Sequence, residues 1–86
     1  MNSKKINILF LINKSRTNKK NLSPIQGRIT YQGKRKVFST GLFINPDHWN
    51  SKKQKAFIPD DNNFLNNQLS LIKQQINQAF LFLQVN

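Results

Sequence analysis

The last third of the chain carries an apolar stripe that a helix places on one face. From Phe64 onward the apolar residues recur every three or four positions, as Leu65, Leu69, Ile72, Ile76, Ala79 or Phe80, and Leu83. This period predicts an amphipathic α-helix over residues 62–83. Asp60 or Asp61 is placed to cap its start, where an acid also suits the helix dipole. Because a helix of this kind must bury its stripe, the preceding residues have to supply a partner for it.

Short apolar runs bounded by polar clusters predict that this partner is a sheet. The predicted strands cover residues 6–13, 25–31 and 35–40. A polar, basic loop closed by Pro24 separates the first two, and Gly41 ends the third. Three strands alone would expose a face rich in Ile and Phe, so the helix is expected to cover it. The predicted fold class is α+β: a three-stranded antiparallel meander packed on one long C-terminal helix, in a single domain spanning residues 1–86.

The second and third strands meet at Gln32-Gly33, which we interpret as a two-residue turn. Residues that face each other across such a hairpin share one side of the sheet. The helix-packed side then carries Ile25, Ile29, Tyr31 and Phe38, with Lys34 and Lys36 near the tip. The opposite side, termed the outer face, carries Gln26, Arg28, Thr30, Arg35, Val37 and Ser39. A slip of one residue in the turn would exchange the two sides.

The stretch after the third strand contains a helix-start signal. Asn45 is a suitable N-cap and Pro46 suits the first helical position, so one helical turn carrying Trp49 is predicted. Trp49 is expected to anchor the core or a loop. The following "SKKQKAF" is interpreted as a basic connection to the helix.

Charge is distributed unevenly along the sequence. The chain has 14 Lys and Arg residues against three acids, which gives a net charge of +11. Thirteen of the basic residues lie within residues 1–55, together with one acid, Asp47. A polyanionic partner for this part of the chain is therefore expected. Anionic membrane is the rival to nucleic acid, but the polar face of the helix is Asn and Gln rather than Lys, which does not suit anionic lipid.

The residue inventory argues against several other classes of protein. The chain has no cysteine, one histidine (His48) and three aspartates, so neither a disulfide nor a metal site is expected. No cofactor or small-molecule substrate is expected either. The apolar run near the N-terminus is too short for a signal peptide, and none approaches the length of a membrane span. These features predict a cytoplasmic protein.

The outer face has the composition of a groove-reading surface. The major groove of B-DNA admits a β-ribbon, in which Arg bonds guanine, Gln bonds adenine, and Thr or Val methyl groups contact thymine. We therefore predict base contacts from the six outer-face residues Gln26, Arg28, Thr30, Arg35, Val37 and Ser39. Phosphate contacts, which fix register without reading sequence, are predicted for Lys14, Arg16, Lys19, Lys20, Lys34, Lys36, Lys52, Lys53 and Lys55.

Four other interpretations stay open from the residues alone. A β-sheet RNA binder would need exposed aromatic residues on the outer face to stack bases. A protein-interaction domain would use the amphipathic helix. The run Lys34-Arg35-Lys36 could also be a solvated hairpin tip, and the loop before Pro24 could become ordered only on a phosphate backbone.

The segment "PIQGRITYQGKRKVFSTGLFINPDHWN" carries a combined pattern of strand, turn, basic run and Pro-x-x-Trp. Its members are Ile25, Arg28, Ile29, Thr30, Gly33, Lys34, Arg35, Lys36, Phe38, Ser39, Thr40, Gly41, Pro46 and Trp49. The pattern resembles the N-terminal arm-type DNA-binding domain of tyrosine recombinases, as in integrases of Bacteroidetes mobile elements, over about residues 6–83. The resemblance implies a sheet that enters the major groove of arm sites near the element ends, in duplex DNA, and a parent chain with further domains.

Recombinase chemistry is not expected from this chain itself. Such enzymes use a Tyr nucleophile with Arg and His activating the phosphate, whereas Tyr31 is the single tyrosine here and lies in a helix-facing strand position. The chain is thus expected to be a non-catalytic DNA-binding part of a longer integrase. The apolar residues of the helix that a small sheet cannot cover, such as Leu71 and Phe82, would then pack against the rest of that protein.

Overall fold

A computed structural model describes residues 6–58 and 63–85, with helix side chains described as far as Phe80. A three-stranded antiparallel sheet in the order β1-β2-β3 is followed by a two-stranded hairpin, β4-β5, and one helix. The α+β class, the meander and the C-terminal helix are all confirmed. The elements are β1 (Asn7–Ile12), β2 (Ser23–Tyr31), β3 (Lys34–Ile44), β4 (Trp49–Asn50), β5 (Lys55–Ala56) and α1 (Phe64–Val85), with short 3-10 turns at Lys14–Arg16 and Pro46–His48.

The β2-β3 hairpin turns through two residues, as predicted. Tyr31 pairs with Lys34 and Thr30 with Arg35, so Gln32 and Gly33 are the two loop residues. Both have a positive φ, 50° for Gln32 and 79° for Gly33. A two-residue turn of type I′ requires positive φ at both positions, and its twist matches that of the strands. The predicted register is confirmed from Tyr31↔Lys34 to Gly27↔Phe38.

Gln32→Asn is expected to stabilise the fold. Gln32 has a Cβ and sits in the left-handed region, which Asn tolerates better than Gln. We expect the free energy of unfolding in urea to rise by up to about 1 kcal/mol. Gln68→Asn provides the control, because it makes the same chemical change inside α1; there Asn should be neutral or slightly destabilising. A fall in stability for Gln32→Asn would contradict the assigned turn.

The third strand does not end at Gly41, and that prediction is wrong. β3 continues to Ile44, because its pairing with β2 resumes at Pro24↔Phe43 after an irregularity that follows Gln26↔Ser39. Gly41 has a φ of 77°, which accommodates the extra residues of this bulge. Thr40 secures it: its Oγ1 donates to the Ile25 carbonyl at 2.7 Å and accepts from the Leu42 amide at 3.1 Å.

The basic connection after Trp49 contains a small hairpin that the sequence interpretation missed. Trp49 pairs with Ala56 and Asn50 with Lys55. Just before β5, the Gln54 side chain docks on the edge of β1. Its Oε1 accepts from the Phe10 amide at 2.7 Å, and its Nε2 donates to the Phe10 carbonyl at 3.1 Å. One side-chain amide therefore takes the place of a neighbouring strand for one residue of β1.

The helical turn predicted after Asn45 is confirmed, but Trp49, which it was predicted to carry, is the first residue of β4. Asn45 Oδ1 accepts from the Asp47 amide at 2.9 Å, as an N-cap does, and Pro46 occupies the first helical position. Trp49 follows directly and packs, half-buried, against the core.

The core lies between the sheet and the first half of α1. Its buried apolar residues are Phe10, Ile25, Ile44, Ala56, Leu65 and Leu69. Ile72 packs against them, which confirms the start of the predicted stripe, whereas Leu71 lies off the stripe and is 46% exposed. The predicted caps Asp60 and Asp61, and the side chains of Leu83 and Phe82, lie outside the described residues.

A second side-chain amide joins the helix to the small hairpin. Asn66 Oδ1 accepts from the Ala56 amide at 2.7 Å, and its Nδ2 donates to the Ala56 carbonyl at 2.9 Å. Ala56 is buried, so these two bonds satisfy backbone groups that water reaches poorly. No helix in the part of the chain that the structure describes is long and apolar enough to cross a membrane.

Candidate nucleic-acid interface

The outer face of the sheet carries the six residues predicted to contact bases. They form three cross-strand pairs, Gln26↔Ser39, Arg28↔Val37 and Thr30↔Arg35. Because directly opposed residues share a side of the sheet, all six side chains belong to one surface. The three on β3 are exposed and the three on β2 are half-buried. Their common placement is confirmed, while their contact with bases stays a prediction.

Strand β1 adds a third residue to each of these rows. Asn7 pairs with Thr30, Leu9 with Arg28, and Leu11 with Gln26. The middle row is thus Leu9, Arg28 and Val37, with a cation between two apolar side chains. The row nearest the hairpin tip is Asn7, Thr30 and Arg35, which is entirely polar.

The opposite side of the sheet is occupied by α1. The rings of Tyr31 and Phe80 meet edge-on with their centroids 4.8 Å apart. Ile29, Lys36, Val37 and Phe38 line a groove of about 440 Å³ against helix residues that include Ile72 and Ile76. Strand alternation assigns Lys36 to the helix side, and only Arg35 of the three consecutive cations to the outer face. Val37 borders the groove from the edge strand β3, although its cross-strand pair with Arg28 belongs to the outer face.

Arg28 is held within the outer face in an unusual state. Its Nε is buried and has no hydrogen-bond partner. Neither cross-strand neighbour, Leu9 or Val37, has a side-chain acceptor. The Nε–H group therefore bonds neither water nor a protein acceptor, which costs free energy in the unbound protein.

Sequence interpretation missed one exposed aromatic residue on this surface. Phe43 pairs with Pro24, which alternates along β2 with the buried Ser23 and Ile25. Phe43 consequently lies on the outer face, and it is 47% exposed. Its position was not predicted because the third strand was expected to end at Gly41. Extending the strand alternation through the bulge would have placed Phe43 on the outer face.

The basic loop between β1 and β2 is folded, although sequence interpretation left open that it orders only on phosphate. Asn18 Oδ1 accepts from the amides of Lys20 and Leu22 at 2.8 and 3.1 Å. Thr17 Oγ1 lies 2.7 Å from the hydroxyl of the buried Ser23. These bonds position the loop backbone that carries the exposed residues Lys14, Arg16, Lys19 and Lys20.

The later lysines form a separate group. Lys53 and Lys55 line a pocket of about 210 Å³ together with Lys73, Asn66 and Ser70 of α1. Phe10, which belongs to the helix side of β1, also lines it. The structure thus places Lys53 and Lys55 at the β1 edge beside the helix, and joins to them Lys73, which was not among the predicted contacts. Lys52 is exposed in the same hairpin.

Within the described residues, no group of three His, Cys, Asp or Glu side chains could hold a metal ion. His48 makes a ring contact with Phe57, with the centroids 6.1 Å apart.

Comparison with known proteins gives one match. A family model described as an arm DNA-binding domain matches residues 10–86. No curated protein and no solved structure matches the chain.

Proposed function

The chain belongs to the arm DNA-binding domain family of integrase-type recombinases, and on that premise we propose that it binds double-stranded DNA sequence-selectively. The sites would be the arm sites of a mobile element, bound during site-specific recombination. The outer face would enter the major groove, with Gln26, Arg28, Thr30, Arg35, Val37 and Ser39 against the base edges.

The cross-strand register is the observation that carries this proposal. It collects Arg28, Arg35 and Gln26 on one surface, and α1 packs on the other. Neighbouring strands lie about 4.8 Å apart, so a two- to three-stranded ribbon matches the roughly 12 Å width of the major groove.

The folded basic loop supports a role in placing the sheet on DNA. Because Asn18 and Thr17 fix the loop backbone, its cations need less ordering on binding than those of a flexible segment. Lys14, Arg16, Lys19 and Lys20 would contact phosphates beside the groove, and the cations of the hairpin tip and of β4-β5 would contact others.

We propose further that this chain binds DNA without cleaving it. The family is a DNA-binding module, and Tyr31 packs its ring against Phe80 on the helix side rather than standing in a phosphate-binding site. The strand-transfer chemistry would belong to other domains of a parent recombinase.

A titration observed by NMR tests the proposed surface. Duplexes from the ends of the parent element should shift the resonances of residues 26–39. Shifts concentrated in residues 64–80 would instead mean that α1 meets the DNA. Equal affinity for single-stranded RNA and for duplex DNA would rule out the assignment to duplex DNA.

Removing one loop cation should weaken binding to every duplex equally. For Lys19→Ala we expect the slope of log K against log salt to become shallower by about 0.9, the value for one lost phosphate contact. Lys19→Arg keeps the charge and should leave the slope unchanged. If Lys19→Ala changed affinity for one sequence only, Lys19 would be a base contact and the phosphate role would be wrong.

A further inference from the structure

The middle row of the outer face contains two apolar side chains, which a surface that only faced water would not require. Val37 is 53% exposed, and it shares the row with Leu9 and with the half-buried Arg28. Leu9 is half-buried and Val37 is exposed, so the row leaves one apolar side chain in water beside a cation whose Nε is already desolvated. A partner that covers this row would remove Val37 from water.

The buried Nε restricts how Arg28 can bond a base. Since Nε is inaccessible, the two Nη groups are the donors left to the guanidinium for an end-on contact. Guanine presents two acceptors, O6 and N7, side by side in the major groove, which match two parallel donors. Adenine presents one acceptor and one donor there, so it cannot accept both.

The flanking methyl groups have one counterpart in the major groove, the C5-methyl of thymine. Adjacent strands are about 4.8 Å apart and base pairs are stacked about 3.4 Å apart. Leu9 and Val37 therefore reach positions within about two base pairs of the base that Arg28 contacts. The same methyl groups have no partner on uracil, which lacks this group.

We propose that the row Leu9–Arg28–Val37 recognises a guanine with thymine methyl groups within two base pairs of it. This inference rests on the proposed function, since it assumes that the outer face lies in the major groove. It assigns Leu9 a recognition role, and it places the thymine methyl that Val37 contacts within two base pairs of the guanine that Arg28 contacts.

The test starts with selection of binding sites from a randomised duplex library by the wild-type protein. The selected site should contain a guanine with thymine close to it. Replacing each such thymine by deoxyuridine removes one methyl and nothing else. We expect the Kd of the wild type to rise about fourfold for a buried methyl, since one buried carbon of this kind contributes about 0.8 kcal/mol, and deoxyuridine at distant positions to have no effect.

Protein variants then assign the contact. In Val37→Ala the penalty for one deoxyuridine should disappear, because the thymine methyl at that position no longer has the Val37 side chain to contact. In Leu9→Ala the penalty for deoxyuridine at the second thymine position should disappear. Because Leu9 is half-buried, thermal unfolding of this variant will show whether it still folds. Leu71→Ala removes an exposed leucine from α1 and should keep the full penalty.

Two results would overturn the proposal in distinguishable ways. If deoxyuridine near the guanine left the affinity of the wild type unchanged while Arg28→Ala still abolished discrimination, methyl recognition would be wrong and the proposed DNA function would stand. If no site were selected and Arg28→Ala had no effect on any duplex, both would be wrong.

Discussion

Asn66→Ala is expected to destabilise the fold by about 2–4 kcal/mol, because it leaves two buried backbone groups of Ala56 without partners. An unsatisfied buried donor or acceptor costs about 1–3 kcal/mol. The loss would be a large part of the total stability of a domain of this size, which is on the order of 5 kcal/mol. Urea unfolding measures it.

Asn67→Ala is the matched control for this change. Asn67 is the next residue of α1, and its side chain is exposed. Both variants exchange Asn for Ala in the same helical turn, so the gain in helix propensity cancels when they are compared. Trp49 is the single tryptophan and pairs with Ala56, so its fluorescence should report the loosened hairpin in Asn66→Ala alone. Equal stability of the two variants would mean that the Asn66 amide is not needed to hold β5.

Arg28→Ala is expected to remove discrimination at one base position, at a cost of about 1–3 kcal/mol for the cognate site. Scrambled duplexes should lose much less affinity, because they do not offer the guanine acceptors in register. Competition binding with cognate and scrambled duplexes measures both. The fold should tolerate the change, since the Nε of Arg28 has no hydrogen bond to lose.

Arg16→Ala separates this effect from the loss of a positive charge. Arg16 lies in the folded loop, is exposed, and is proposed to contact phosphate. Its removal should lower the affinity for cognate and for scrambled duplexes by the same factor, and so leave the ratio of the two affinities unchanged. If Arg28→Ala also weakened both equally, Arg28 would be a phosphate contact and the outer face would not read sequence.

The hairpin and its two faces could be predicted from the sequence because a two-residue turn fixes the register of the strands up to the next irregularity, which follows Gln26↔Ser39. Once Gln32 and Gly33 are assigned to the turn, strand alternation places Arg28 with Arg35 and sends Lys36 to the other side. The helix was predictable for a similar reason, since its apolar period is local and uninterrupted from Leu65 to Ile76.

The features that were missed depend on contacts between residues far apart in the chain. Gln54 bonds Phe10 across 44 residues, and no local pattern marks that pairing. The extension of β3 past Gly41 depends on Thr40 and a bulge opposite Ile25, whereas a glycine after a strand ordinarily signals its end. Phe43 lies in that extension, so its place on the outer face was not predicted either. The desolvated Nε of Arg28 likewise follows from packing among three strands.

The hydrogen bond from the Phe10 amide to Gln54 also makes that amide proton a probe of local opening. An amide on the outward side of an edge strand ordinarily exchanges with deuterium in the solvent soon after transfer, because no neighbouring strand protects it. The Phe10 amide is engaged by Gln54 Oε1 at 2.7 Å, so it can exchange only when the segment carrying Gln54 moves away from β1. Its exchange rate therefore measures how often that segment detaches, separately from the opening of the sheet itself.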